Sequence, residues 1–447
     1  MSDKSRIRLL LGLLALALAG AGAQNISAPE EAQPAAKPKR GKAPVARDVD
    51  LSQPVYLDSA PKPSDPAESE PTEPDPESGA EAEPAPGQTA ETPAEPEDAE
   101  RAPLVMLGEQ VQPGTSARLS WTLNQRFEGI AVPTPVLVVH GSEPGHTVCL
   151  TAALHGDEIN GIEIVRRVLY DLDAEALRGT VIGVPIVNLQ GFRRGSRYLA
   201  DRRDLNRYFP GSATGSSASR IAYAFFNDVI ARCDALVDIH TGSLARTNLP
   251  QLRADMKVPE VAKLTEGFGA TSVLHHPGTE GTLRRAAVMA GIPAVTFETG
   301  EPGRLQETKI AHGSKGIQTL LAKLDMTRHV SIWGEPEPVY YQSTWVRADR
   351  GGLLFRDVGL GQRVKAGEVL GTITDPITNL RSELTTPVDG RVLGMALNQV
   401  VMPGFAAFRI GIRTASDELT TPVEPAEDGE VVSPADLAGA EGEEENS

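Results

Sequence analysis

Two kinds of apolar pattern alternate between residue 134 and about residue 325. Short apolar runs bounded by turn residues are typical of strands, and segments with apolar positions three and four residues apart are typical of helices. The predicted strands are "TPVLVVHG", "TVCLTAAL", "TVIGVPIVN", "ALVDIH" and "PAVTFETG". The predicted helices are "GIEIVRRVLYDL", "SRIAYAFFNDVIARC", "TLRRAAVMAG" and "GSKGIQTLLAKLDM". This alternation predicts an α/β fold, with a mixed, largely parallel sheet and helices on both faces.

The pattern changes in residues 336–413, where short strands are broken by glycine, proline and aspartate turns. The segments "GGLLFRDVGLGQRVKAGEVLGTITDP" and "LTTPVDGRVLGMALNQVVMPGFAAFRI" share this rhythm. We therefore predict a small C-terminal β barrel-sandwich domain, similar to the biotinyl and lipoyl carriers. A carrier presents a lysine at its hairpin tip, and the corresponding turn, "TDPITNLRSELTTP", contains none. A structural or substrate-gating cap is favoured instead.

The two ends of the chain differ from the rest in composition. A basic start, an apolar run and small residues before Gln24 predict a signal peptide over residues 1–23. The apolar run is short for a membrane span, so the protein is expected to be exported, in the periplasm; an uncleaved membrane anchor is the alternative. Residues 24–103 are rich in proline, glutamate and alanine and predict a disordered acidic linker. Residues 416–447 predict a disordered acidic tail.

The net charge of −17 is concentrated in these ends. The acidic residues cluster in 57–101 and 416–447, which leaves residues 102–415 nearly neutral. A nearly neutral folded part predicts no nucleic-acid partner.

The chain contains two cysteines, Cys149 and Cys233, each in or just before an apolar run. Two cysteines form neither a metal cluster nor a dense disulfide framework. Buried free thiols are the favoured interpretation, although an exported chain permits one disulfide.

Polar residues close several of the predicted strands, and in such sheets function gathers at the carboxyl ends of the strands. His155 and Glu158 are three apart in "HGDE", a spacing that places both on one face of a helical turn. The alternative for this stretch is a helix cap. His240 ends the run "ALVDIH", and Glu298 lies within "AVTFETG", where a carboxylate must be paired or functional.

These residues have the chemistry of a hydrolytic metal site. Two imidazoles and one carboxylate suit zinc and leave a position for water. Glu298 is a further carboxylate that can act as a base. The loop "RDLNRYFPG" adds Asn206 and Arg207, whose guanidinium suits an anionic substrate. Taken alone, that loop is equally compatible with a surface turn.

The ordered set of motifs resembles the succinylglutamate desuccinylase and aspartoacylase family of the zinc carboxypeptidase clan. The matching phrases are "HGDEINGIE", "SRYLADRRDLNRYFPG", "DIHTG", "GTLRRAA" and "GIPAVTFETG". The resemblance covers about 134–413 and implies a carboxypeptidase-like fold. It also implies a zinc amidohydrolase domain, which we place at residues 104–330.

The resemblance implies a role for each matching residue. His155, Glu158 and His240 correspond to the ligands of one zinc ion per chain. Glu298 corresponds to the general base, and Arg197 to the arginine that stabilises the oxyanion; Arg202 and Arg203 are the alternatives to Arg197. Asn206 and Arg207 correspond to the clamp on the substrate α-carboxylate, with Asp204 bracing their loop. The clan often uses a tyrosine near the substrate, and the sequence does not place it, Tyr340 and Tyr341 being candidates.

The predicted activity is hydrolysis of the amide bond of an N-acyl amino acid by metal-activated water. An exported zinc metallocarboxypeptidase acting on short peptides or cell-wall stems is the alternative within the clan. A non-catalytic binding protein is the alternative from another class. The β domain favours the deacylase, because it resembles a cap that restricts large substrates, whereas the export signal favours the peptidase. The oligomeric state is not predicted.

Overall fold

The structure is a computed structural model that describes residues 101–122, 133–328, 334 and 338–413. The predicted signal peptide, most of the predicted linker and the predicted tail lie outside the described residues. The helices are α1 (Asn160–Asp171), α2 (Leu189–Arg194), α3 (Ser217–Asp228), α4 (Pro259–Thr265), α5 (Leu283–Met289) and α6 (Glu307–Lys323).

Strands account for much of the remaining chain. In the first part they are β1 (Leu104–Met106), β2 (Glu109–Val111), β3 (Thr115–Trp121), β4 (Thr134–His140), β5 (Glu143–Ala152), β6 (Arg178–Val184), β7 (Ala235–His240), β8 (Arg246–Ala254), β9 (Ser272–His275) and β10 (Ala294–Gly300). After residue 338 they are β11 (Val339–Tyr340), β12 (Gln342–Arg347), β13 (Gly352–Arg356), β14 (Arg363–Val364), β15 (Val369–Thr374), β16 (Arg381–Thr385), β17 (Gly390–Ala396), β18 (Gln399–Val401) and β19 (Ala406–Ile412).

A mixed sheet with a parallel centre organises the fold. Within the described ranges it has thirteen strands, and its main path runs β12-β19-β17-β8-β10-β7-β5-β6-β4-β3. The four strands β6, β5, β7 and β10 are parallel to one another, whereas β8 and β4 join them antiparallel. The predicted mixed, largely parallel sheet is confirmed. The carboxyl ends of β5, β7 and β10 consequently lie side by side at one edge.

Helices cover both faces of this sheet, as predicted. On one face α3 and α5 bury Phe225 and Leu283 against the sheet. On the other face α1, α4 and α6 bury Ile164, Val261 and Ile317. These residues belong to two separate hydrophobic cores, so the sheet is buried from both sides, which explains the nearly continuous apolar runs of its central strands.

The C-terminal strands are continuous with the thirteen-stranded sheet. Strand β17 pairs antiparallel with β8, and β19 and β12 extend the sheet beyond β17. Strands β16, β15, β13 and β18 form a second, four-stranded antiparallel sheet. The residues between the two layers form a core that includes Leu370, Ile373 and Phe408. This second layer, together with β12, β17 and β19, is called the β region below, and its pairing with β8 brings it to the edge where β7 and β10 end.

The interpretation of the two cysteines as free thiols is wrong, because Cys149 and Cys233 form a disulfide. Cys149 lies in β5, opposite Leu236 in β7, and Cys233 lies two residues before the start of β7. Their Cα atoms are 5.7 Å apart, a separation that a disulfide spans. The two residues are 84 positions apart in sequence, so their proximity depends on the order of the strands.

Within the described part of the chain, no helix has both the length and the apolar character needed to cross a membrane.

Candidate metal centre and substrate cleft

A tight turn after β5 carries the first two candidate ligands. The strand ends at Ala152, and the amide of Glu158 donates to the carbonyl of His155 at 3.1 Å. Gly156 packs so closely on the backbone of Gly191 that a Cβ at this position would lie 2.1 Å from it. Helix α1 begins only at Asn160, and its N-cap residue makes no side-chain capping bond. His155 and Glu158 therefore lie in a turn that precedes the helix.

Three side chains converge at this edge of the sheet. The Nδ1 atoms of His155 and His240 are 3.2 Å apart, and Glu158 places Oε1 2.9 Å from the first and Oε2 3.0 Å from the second. All three residues are buried. Ligands at the corners of a zinc tetrahedron lie about 3.3 Å apart. The donor atoms and their spacing therefore fit a zinc ion held by His155, Glu158 and His240.

The remote nitrogen of each histidine is held by a carboxylate. His240 Nε2 lies 2.8 Å from Asp238 Oδ2, and His155 Nε2 lies 3.1 Å from Asp204 Oδ1. Asp238 also accepts a 2.7 Å hydrogen bond from the Thr151 hydroxyl. Metal-binding histidines usually donate their second N–H to such a partner, which fixes the ring and its tautomer. The two Nδ1 atoms are thus directed toward the common centre.

The charges of neighbouring groups shift the pKa values of His155, Glu158 and His240. Burial lowers the pKa of His240, but the carboxylates of Asp238 and Glu158 outweigh burial and raise this pKa well above its usual range. Burial and Arg197 lower the pKa of His155, yet Glu158 and Asp204 bring about a net increase. For Glu158, burial raises the pKa, whereas His155 and His240 outweigh it and hold this pKa well below its usual range. The cluster therefore favours positive charge between its ligand atoms.

Glu298 lies beside the three candidate metal ligands. It is the register partner of His240 on the adjacent parallel strand and is 6% exposed. Asn248 donates a 2.9 Å hydrogen bond to Oε2 of Glu298, and Arg253 lies 3.3 Å from Oε1. These two contacts orient a buried carboxylate beside the three converging side chains.

The structure brings Arg197 to the centre and leaves the two alternatives at the periphery. Arg197 Nη1 lies 3.2 Å from Glu158 Oε1, and Nη2 lies 2.9 Å from Asp204 Oδ2. Arg202 is exposed, and Arg203 pairs with Asp201. Of the three arginines, Arg197 is thus the one that can reach a substrate bound at the ligands.

Asn206 and Arg207 lie in a loop that is fixed to helix α5. The amide of Leu283 donates to Asn206 Oδ1 at 2.8 Å. Gly281 packs on the backbone of Arg207, where a Cβ would lie 2.2 Å from the carbonyl oxygen. Both loop residues line the same cleft as the candidate ligands. As predicted, Asp204 braces the loop, through a 2.9 Å hydrogen bond from the Asn206 amide.

The cleft encloses about 770 Å³, including space open to solvent, and its walls are strongly basic. In the described part of the chain, the arginines lining it are Arg197, Arg207, Arg246, Arg253 and Arg284, and the carboxylates are Glu158 and Glu298. Tyr340 packs away from the cleft with Leu274 and Leu393. The aromatic residue found among the lining is Trp345, from the β region.

Several of these residues were not singled out from the sequence. Asp238 could have been identified, because a carboxylate two residues before a histidine in an apolar strand lies on the same face and needs a partner. Arg284 stands in the quoted phrase "GTLRRAA", but no role was assigned to it. The sequence around Asn248 does not have the pattern of a strand, so no local feature marks this residue.

Comparisons with known proteins agree with this geometry. Residues 144–324 match the model of the succinylglutamate desuccinylase/aspartoacylase catalytic domain. The chain is 30% identical over 258 residues to the N-alpha-acetyl-L-2,4-diaminobutyric acid deacetylase of Halomonas elongata. That match covers 55% of this chain and 75% of the deacetylase.

Solved structures share the fold. A succinylglutamate desuccinylase from Silicibacter sp. TM1040 superposes with a TM-score of 0.61 at 23% identity, covering 71% of this chain and 99% of that one. The product-bound ectoine utilization protein EutE (DoeB) from Ruegeria pomeroyi gives 0.62 at 23% identity, covering 70% and 98%. The chain therefore belongs to the succinylglutamate desuccinylase/aspartoacylase family, whose members hydrolyse the amide bonds of N-acyl amino acids.

Proposed function

We propose that the protein is a zinc-dependent deacylase that hydrolyses the amide bond of an N-acyl amino acid. The observation that carries this proposal is the convergence of His155, Glu158 and His240 beside Glu298, in a cleft with basic walls. The family membership and the similarity to a deacetylase support amide hydrolysis.

The three ligands support zinc as the cofactor, with one ion per chain. Two imidazoles and one carboxylate are a common catalytic zinc set and leave room for water and substrate. Asp204 and Asp238 hydrogen-bond the remote ring nitrogens of the two histidines, as carboxylates commonly do at zinc sites. A zinc ion held by His155, Glu158 and His240 would supply a water molecule of lowered pKa and a Lewis acid for the amide carbonyl of the substrate.

The residues of the chain carry out the remaining steps. Glu298 takes a proton from the attacking water and delivers it to the leaving nitrogen, so it must be deprotonated when substrate binds. Asn248 and Arg253 hold it in place for both transfers. Arg197 donates hydrogen bonds to the carbonyl oxygen as negative charge develops on it. The products are a carboxylic acid and a free amino acid.

The loop that contains Asn206 and Arg207 supports binding of the α-carboxylate of the substrate. Arg207 and Asn206 stand on a wall of the cleft that is anchored to helix α5. A guanidinium and a side-chain amide together present donors that match the two oxygens of a carboxylate.

The cleft favours a small substrate over a peptide. Trp345 of the β region lines it together with the metal ligands, so the β region limits the space beside them. A cleft narrowed in this way suits a small molecule. The N-alpha-acetyl-L-2,4-diaminobutyric acid of the Halomonas deacetylase is a substrate of that kind. A metallocarboxypeptidase acting on peptides is accordingly the weaker interpretation.

The disulfide supports export to an oxidising compartment. Disulfides persist in the periplasm and are rare in the cytosol. The Cys149–Cys233 pair therefore agrees with the signal peptide predicted over residues 1–23. N-terminal sequencing of the protein recovered from the periplasm of its host should begin at Gln24, whereas a start at Met1 in the membrane fraction would favour the anchor.

The proposal is tested by assaying the purified protein against N-acyl amino acids and short peptides. Release of the free amino acid should occur with one or more N-acyl amino acids, stop after treatment with a chelator and return with added zinc. Cleavage of peptides alone would replace the deacylase with a carboxypeptidase. Absence of hydrolysis from both sets, at full zinc occupancy, would favour the binding protein.

A further inference from the structure

Strand β17 of the β region pairs with the strand that carries Asn248, the residue that orients Glu298. Asn248 is 4% exposed, stands on β8 and lines the cleft. In register it is opposite Gly300 of β10 on one side and Gly394 of β17 on the other. Side chains of directly opposed residues share one face of a sheet and lie about 4.5–5.5 Å apart. Because both opposed residues are glycines, the neighbouring strands place no side chain beside Asn248 at these positions.

The side-chain amide of Asn248 has one orientation that suits a carboxylate. Its Nδ2 donates the 2.9 Å hydrogen bond to Glu298 Oε2. A deprotonated carboxylate only accepts hydrogen bonds, so the amide must turn its nitrogen toward Glu298 and its oxygen away. That oxygen, Oδ1, faces Gly394, where a Cβ would lie 2.7 Å from it. The amide oxygen therefore lies against the space that a side chain at position 394 would need.

Glycine is required at position 394 by this contact and not by the backbone. Gly394 is buried, and its φ lies outside the left-handed region, so alanine could adopt the same backbone without strain. A Cβ does not approach a non-bonded heavy atom to less than 3.0 Å, so an added methyl group would displace the Asn248 amide. The next nearest atom, Cβ of Arg409, would lie at an ordinary contact distance of 3.7 Å.

A second contact fixes β17 at the same level of the sheet. Gln251, the register partner of Glu298 on β8, donates a 3.1 Å hydrogen bond to the carbonyl of Leu393. Leu393 directly precedes Gly394, and the pairing of β17 with β19 shifts register between Val392 and Gly394. Such irregularities are frequent next to active sites, where they redirect side chains. Strand β17 is thus held in register with the strand that orients the carboxylate.

We infer that Gly394 is a positioning residue for the hydrolysis, because it gives Asn248 the space to hold Glu298 in the orientation that proton transfer requires. The inference rests on the proposed deacylase function and goes beyond it, since it gives the β region a part in the chemical step. Gly394 lies outside residues 144–324, which match the catalytic-domain model. The region predicted to be a structural or substrate-gating cap thus also positions the general base.

The test is a double-mutant cycle between Gly394 and Asn248, with an N-acyl amino acid that the wild type hydrolyses. Gly394→Ala should lower kcat about 10- to 100-fold and leave KM within about threefold, because the base is misplaced while the substrate still binds. Asn248→Ala should lower kcat to a similar extent, because it removes the orienting hydrogen bond. The double variant should lie within about threefold of Asn248→Ala, since the added methyl group then meets no amide oxygen. Zinc content should equal that of the wild type in all three variants.

Gly183→Ala is the matched control. Gly183 is a buried glycine of β6 in the same thirteen-stranded sheet, and a Cβ there would lie 2.8 Å from side-chain atoms of Leu169. It is not among the described residues that line the cleft. Its replacement should leave kcat within about threefold of the wild type. An equal loss of kcat in Gly183→Ala would overturn the inference, because crowding elsewhere in the sheet would then explain the result.

The other outcomes of the cycle are also decisive. Losses that multiply in the double variant would overturn the inference, because Gly394 would then act independently of Asn248. An unchanged kcat in Gly394→Ala overturns it as well, and a raised KM would then assign the β region to substrate binding alone. If Gly394→Ala does not fold, the comparison of the double variant with Asn248→Ala decides, and an unchanged kcat in Asn248→Ala overturns the inference by itself.

A crystal structure of Gly394→Ala separates this inference from the proposed function. Asn248 Nδ2 and Glu298 Oε2 should lie beyond a hydrogen-bonding distance of about 3.2 Å in it, whether or not a substrate has been found. A contact retained at 2.9 Å overturns the role of Gly394 and leaves the deacylase intact. Failure to hydrolyse any N-acyl amino acid at full zinc occupancy would instead refute the proposed function itself.

Discussion

Replacing Asp238 with asparagine isolates the contribution of the outer shell to metal binding. Asp238 is buried and accepts hydrogen bonds from the Thr151 hydroxyl and His240 Nε2, at 2.7 and 2.8 Å. Asparagine keeps the size of the side chain and removes its charge. It also introduces an amide N–H₂ that cannot accept a proton donated by His240. The metal-facing Nδ1 of His240 becomes less basic and its tautomer less well defined.

The expected loss is substantial but incomplete. Changes of such outer-shell partners cost roughly 10- to 100-fold in metal affinity, which corresponds to about 1.4–2.7 kcal/mol. The three ligands themselves remain, so Asp238→Asn should still bind zinc. Replacement of His240 by alanine should be more damaging, because it removes a ligand atom.

A competition titration of the metal-free protein with a chromophoric zinc chelator measures this affinity. The control is Asp234→Asn, four residues earlier, where the carboxylate accepts a 2.7 Å bond from the amide of Thr147 and does not contact the ligands. Asp234→Asn should bind zinc like the wild type. Unchanged affinity in Asp238→Asn, or an equal loss in both variants, would refute the assigned role of the Asp238–His240 pair.

Three further predictions address the substrate clamp, acid stability and the disulfide. Arg207→Ala should raise KM for an N-acyl amino acid by about 10- to 150-fold, with less effect on kcat. This variant should discriminate little against a substrate with an amidated α-carboxylate. If it discriminates as fully as the wild type, the α-carboxylate is bound elsewhere. Burial lowers the pKa of His140 below that of the unfolded chain, so its contribution to stability is present above about pH 6.5 and is lost as pH falls. The difference in melting temperature between wild type and His140→Gln should therefore become less favourable to the wild type from pH 7 to pH 5, and a constant difference would contradict this. Replacing Cys149 and Cys233 with alanine opens a loop of 84 residues and should lower the free energy of unfolding by about 4–5 kcal/mol in urea titrations, whereas a loss below about 1 kcal/mol would show that the loop is constrained by other contacts.

The parallel centre of the sheet and the convergence of the candidate ligands could be predicted from sequence because their signals are local. Strand β5 ends three residues before His155, β7 ends at His240, and β10 contains Glu298 two residues before its end. The apolar pattern therefore indicated both the strands and the polar residues near their ends. His155 and Glu158 are three residues apart, close enough in sequence to lie within one helical turn. These features require no knowledge of which strands are neighbours.

Strand β8 could not be predicted in the same way. It contains Pro250, and its buried positions include Arg246, Asn248 and Gln251, so it has neither the composition nor the alternation of a central strand. Its partners β10 and β17 are distant in sequence and satisfy its backbone. Asn248, which orients Glu298, was missed for this reason. The disulfide was missed for a related reason, since it depends on the neighbourhood of β5 and β7.

The central claim is that Glu298 transfers protons beside a zinc ion held by three other residues. It is tested most directly by measuring zinc content and turnover together in Glu298→Gln, with an N-acyl amino acid that the wild type hydrolyses. Glutamine keeps the size of the side chain and accepts no proton. We expect full zinc occupancy by elemental analysis, similar substrate affinity and a kcat lowered by at least about a hundredfold. A kcat within about threefold of the wild type at full zinc occupancy would contradict it.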